Sequence, residues 1–159
     1  MMKKEERLYN LILPVWMLWL FPAVWPIILG GNLLVDGLVL LGALTVLKLA
    51  DRRRLMKTLL PRIYLLGFAA DAVGVLFLFL IASAVPQASY PIFSGTNGQI
   101  RPVALFSTLA GVLTAAVCIY WFDRAALKKE EALTADQRRK IALTLAVLTA
   151  PWTFFITIY

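Results

Sequence analysis

The chain has 159 residues, 61% of them hydrophobic and only 16% charged, with a formal charge of +7. This composition excludes an ordinary soluble domain, which needs more polar surface to stay wet. One cysteine, Cys118, and no histidine exclude a disulfide framework within one chain and an ordinary multi-ligand Cys/His metal centre, and the basic residues sit beside apolar runs rather than in a patch suited to nucleic acid.

Lys3, Lys4 and Arg7 precede an apolar stretch, 8–29, that opens like a signal peptide. It runs too long for one, lacks a small-x-small cleavage site and is followed by further apolar runs, so it reads as a retained first helix. Pro14, Pro22 and Pro26 interrupt it, and the last two predict a kink or break near its far end. Trp25 suits an interface anchor, while Trp16 and Trp19, three apart, form a ledge that either packs inside the bundle or faces a ligand.

Gly30-Gly31-Asn32 predicts a tight turn into a second span, 33–50. Asn32 and Asp36 are four apart and share a face, which lets them line the mouth of a site; favourable charge–dipole interaction at a helix start explains Asp36 equally well. Lys48 can snorkel toward the next loop, where Asp51, Arg52, Arg53, Arg54 and Lys57 serve anchoring and orientation.

The third span, 61–85, opens with Pro61 in its first turn and is the longest strongly apolar run. From Arg62 to Val85 it makes a helix of roughly 36 Å, enough to cross a hydrocarbon layer of about 30 Å with some tilt. Asp71 falls well inside it. A bare carboxylate at that depth costs several kcal/mol, so Asp71 must face other helices or a polar cavity, or hold a proton. Gly67, Asp71 and Gly74 lie on one face, and the two missing side chains open space for a helix, a water or a small solute.

Residues 86–101 form a loop with Ser94-Gly95-Thr96-Asn97-Gly98 at its tip and Arg101 at its end. The fourth span, 102–122, carries a stripe of Ser107, Gly111, Thr114 and Cys118 that marks close helix packing. A second basic loop follows. Thr134 and Gln137 form a capping-box signature, so the last helix begins before the membrane and crosses over 141–159, with Thr149, Thr153 and Thr157 every four residues and a kink at Pro151.

The sequence therefore predicts one all-α domain, a polytopic integral membrane protein built as a compact bundle of five transmembrane helices. Fifteen Lys and Arg flank one side and only Arg101 the other, which places the N-terminus in the cytoplasm and the C-terminus outside, with a bacterial cytoplasmic membrane as the setting. In length, span count and tryptophan content the chain is similar to the tryptophan-rich sensory protein family, and the similarity carries over no residue pattern.

Two function classes compete. In the first, Asp71 is a proton- or cation-linked site of a small transport or solute-binding protein. Asn32, Asp36, Trp16, Trp19, Arg101, Thr114, Thr149 and Thr153 then supply the remaining contacts, and a homo-oligomer or larger membrane-protein partner completes the path. In the second, Asp71 and the small-residue stripes are packing features of a non-catalytic accessory, assembly or immunity subunit. A membrane-embedded enzyme acting on lipid would draw on Asp36, Asp71 and Arg101, but no paired acidic motif, serine triad or nucleotide fingerprint supports it. No cofactor and no nucleic acid are expected.

Overall fold

The computed structural model describes residues 22–94 and 98–156. They form four α-helices: α1 (Trp25–Val46), α2 (Arg52–Ala84), α3 (Pro102–Leu127) and α4 (Ala135–Leu148). Short 3-10 turns cover Pro22–Val24, Pro86–Ser89 and Trp152–Phe155, and a two-residue hairpin pairs Phe93 with Ile100 and Ser94 with Gln99. The helices pack as a ring, α2 against α3, α3 against α4, α4 against α1, and α1 against α2.

Among the described residues three helices, α1, α2 and α3, are long and apolar enough to cross a membrane, and the chain is a small, all-helical, multi-pass membrane protein. The expectation of five spans is thus corrected. Most of the first proposed span, 8–29, lies outside the described residues, and its remainder is the Pro22–Val24 turn and the start of α1. Gly30-Gly31-Asn32 is not a turn: α1 runs straight through it, because two glycine penalties of about 1 kcal/mol each are outweighed by continuous backbone bonding where water is scarce. The last proposed span, 141–159, ends early. α4 spends its first six residues on a polar stretch, and its helix stops at Leu148 because the residue before Pro151 disfavours helical backbone. The orientation assigned to the two chain ends rested on five spans and falls with them.

α2 is longer than expected. It starts at Arg52, with Pro61 inside the helix rather than opening it. Proline removes one hydrogen bond to the carbonyl one turn back, here that of Lys57, at a level where exposed Lys57 and Arg62 mark polar surroundings. α1 and α2 are joined by a short hairpin turn in which Lys48 adopts a left-handed conformation, φ 52°. Leu49 N–H donates to Leu44 O and Lys48 N–H to Thr45 O, the paired bonds of a Schellman cap. α4 begins with the expected capping box: Thr134 accepts from the Gln137 N–H, and Gln137 returns a bond to the Thr134 N–H.

Buried leucines and isoleucines, among them Leu40, Leu44, Leu59, Ile63, Ile119, Ile141 and Leu145, fill the half of the bundle nearer the basic loops. A smaller cluster of Leu78, Val112, Ala150 and Phe154 closes the other half. Its tightest point is Gly111, where an added β-carbon would lie 2.5–2.8 Å from Leu78 side-chain atoms. Across the basic end, Arg54 Nη2 binds Glu130 Oε1 at 2.7 Å and Arg138 Nη2 binds the Glu130 carbonyl at 2.9 Å, tying the start of α2 and α4 to the α3–α4 loop.

Candidate functional site

Asp36 of α1 and Asp71 of α2 are 5% and 6% exposed, and both line a cavity of about 440 Å³ between α1, α2 and the end of α4. That volume lies within the range of about 300–1,000 Å³ typical of small-ligand sites. Glycines flank Asp71 on the same face of α2. Gly67 faces the Asp36 carboxyl, where a β-carbon would lie 3.5 Å from Asp36 Oδ2, an ordinary contact. At Gly74, one turn beyond Asp71, a β-carbon would meet Ala115, the Gly111 carbonyl and Phe154 at 3.0–3.4 Å, so the bare position lets α3 and the C-terminal segment close on α2. The Gly67–Asp71–Gly74 face thus serves one helix neighbour on each side of the acid.

The polar partners are few. Asn32 Nδ2 donates to Asp71 Oδ2 at 3.2 Å, while Asp71 Oδ1 is buried with no partner among the described residues. The Thr149 hydroxyl donates to the Leu145 carbonyl at 2.9 Å, and Thr149 lines the cavity with Asp36. Asp36 and Asp71 are close enough for their charges to act on each other. Leu148, Thr149 and Ala150, where α4 ends, border the same space, so the negative end of that helix's dipole adds to the two carboxyls. Trp152 and Thr153 form an exposed part of the rim.

Of the residues singled out from the sequence, Asn32, Asp36, Asp71, Thr149 and Thr153 come together at this cavity. Trp16 and Trp19 lie outside the described residues. Arg101 is not at the cavity: it precedes α3, and its guanidinium sits 5.0 Å from the Tyr90 ring centroid. Thr114 is on α3 and donates to its own helix at the Ala110 carbonyl, 2.8 Å away. The side-chain donor to Asp71 is Asn32, and nearby Tyr64 donates to the Leu29 carbonyl at 3.3 Å.

Asp123 escaped the sequence reading. It is 0% exposed, and neither carboxyl oxygen has a partner among the described residues. Its position beside Arg124 and a basic loop made it look like a loop acid. The signal was there in spacing: Gly111, Ala115, Ile119 and Asp123 recur every four residues along the buried face of α3. Among the described residues no three His, Cys, Asp or Glu side chains group as a metal site requires. No protein-family model, curated protein or solved structure matches this chain.

Proposed function

We propose that the protein is a solute-binding or transport protein of the membrane that takes a small cation or protonated amine between Asp36 and Asp71. The observation that carries this reading is Asp71 itself: it lines a cavity that a second carboxyl also lines, and its buried Oδ1 has no partner among the described residues. A buried polar atom left unpaired costs about 1–3 kcal/mol, and a bound cation or ammonium group removes that cost. A helix that stops within the membrane supports the same choice of charge, since C-terminal helix ends and carbonyls favour cations. On this reading the aspartates bind and do not catalyse.

The setting we assign is a bacterial cytoplasmic membrane, with the end bearing Arg52–Arg54 and Arg138–Lys140 on the cytoplasmic side. The rim at exposed Ile27 and Trp152 is where a second copy or a larger membrane partner would complete the enclosure.

The test is binding of methylammonium, guanidinium and monovalent metal ions to purified protein in nanodiscs, followed by flux in proteoliposomes. Wild type is expected to bind at least one of them, and Asp71→Asn and Asp36→Asn each to weaken it about tenfold, the equivalent of one charged hydrogen bond of about 1.5 kcal/mol. If folded Asp71→Asn binds as wild type does, or wild type binds none of these cations, Asp71 is packing chemistry and the reading fails.

A further inference from the structure

A second volume, about 580 Å³, runs along the seam between α1 and α4. Leu38, Gly42 and Val46 form one wall and Lys140, Thr144 and Leu148 the other, each set spaced four residues apart so that it tracks one helix face. The Thr144 hydroxyl is turned back onto the Lys140 carbonyl at 2.9 Å, which leaves the trough apolar along its length. Gly42 deepens it: a β-carbon there would meet nothing within 4 Å. Eight residues of helix give a trough of about 12 Å, close to half of a hydrocarbon layer of about 30 Å.

Its two ends differ. At the inner end Leu148 also borders the aspartate cavity. At the outer end stands Lys140, preceded by exposed Arg139, and across the seam the lining residue Leu47 is followed by exposed Lys48. Lys140 is bridged to Asp136 at 2.6 Å, but both side chains are more than half exposed, so an anionic group can compete for the ammonium. Lys140 on the lining, with Arg139 and Lys48 next to lining residues, makes the side chains around this mouth mainly basic. An apolar trough of one leaflet's depth, capped by positive charge at the bilayer surface, has the polarity of a phospholipid standing in its own leaflet.

We infer that the α1–α4 groove is a specific seat for an anionic phospholipid, with one acyl chain between Gly42 and Thr144 and its phosphate at Lys140. The seat is independent of the cation reading of the aspartate cavity, because it rests on other residues and on the opposite charge.

The experiment is native mass spectrometry of the full chain released from vesicles of equal phosphatidylglycerol and phosphatidylcholine with matched acyl chains. Wild type should retain phosphatidylglycerol about five-fold over phosphatidylcholine for each basic residue engaged at the surface. Lys140→Gln should lower that preference by about five-fold. Gly42→Leu should reduce retention of both lipids by filling the trough. Gly30→Leu is the control, since its β-carbon also meets nothing within 4 Å but lies off the groove, and it should retain lipid as wild type does. Equal retention of the two lipids by wild type overturns the proposal, and so does a preference that survives Lys140→Gln. Unchanged retention in Gly42→Leu removes the acyl-chain assignment.

Discussion

The side-chain amide of Asn32 donates to Asp71 across 3.2 Å and joins α1 to α2 at the cavity. It is the single hydrogen bond the structure gives the Asp71 carboxyl from a side chain of another helix, and the other oxygen, Oδ1, has none among the described residues. Asn32→Ala is therefore expected to destabilise the folded protein by about 1–3 kcal/mol, the cost of leaving a buried acceptor unmet. In a double-mutant cycle with Asp71→Ala, which removes the acceptor, thermal unfolding in detergent should show a coupling of about 1 kcal/mol. Strict additivity of the two substitutions would show that the bond contributes nothing.

Gly111 and Leu78 make the second expectation. A β-carbon at Gly111 would sit 2.5–2.8 Å from Leu78 side-chain atoms, well inside van der Waals contact. Gly111→Leu should cost at least about 1–3 kcal/mol through overpacking of the α2–α3 seam. Trimming the obstacle should help: Gly111→Ala with Leu78→Ala is expected to be more stable than the sum of the two single changes. A double variant no better than that sum would refute the close contact.

At the basic end, Arg54 is half exposed while its partner Glu130 is buried. Arg54→Ala should therefore cost about 1 kcal/mol, at the top of the range for exposed ion pairs, because it leaves Glu130 without its cation. The loss should be smaller in high salt, since the exposed side of the pair is screened. Chemical unfolding in low and high salt checks both statements, and an Arg54→Ala protein as stable as wild type in low salt would count against them.

Sidedness follows from the helix ends. On a Cys118→Ala background, Arg53→Cys and Arg139→Cys should label from one face of the membrane and Gln87→Cys from the other, since α2 carries positions 53 and 87 at or beyond opposite ends. Labelling of Gln87→Cys and Arg53→Cys from the same face would mean that α2 does not cross.

How much of this was legible in the sequence depended on whether the controlling interaction was local. Thr134 and Gln137 form a cap within four residues, and it was read from those residues alone. Asp71 was legible because an acid in a long apolar run has few places to go. Its company at the cavity followed from faces: Asn32 and Asp36 are one turn apart on α1, and Thr149 meets them where α4 ends. Glycine misled at Gly30-Gly31, where local turn preference lost to helix continuity. Pro151 was read as a kink, yet it ends the helix, because the residues beyond form a 3-10 turn whose Phe154 completes the second core cluster. Asp123 was missed because Arg124 and the basic loop beyond it suggest an exposed position, whereas its four-residue spacing from Gly111, Ala115 and Ile119 puts it on the buried face of α3.

Lys48 holds a left-handed backbone at a place where glycine would do so without strain. For an ordinary residue that conformation costs about 1–2 kcal/mol, so the hairpin trades local ease for an ammonium group at a fixed step beyond Val46. An ammonium on a rigid turn resists being drawn into hydrocarbon, whereas one on a mobile loop would follow the helix. Lys48 thus acts as a stop collar. Whatever holds that turn at the surface also holds Asn32 and Asp36, which the same helix carries.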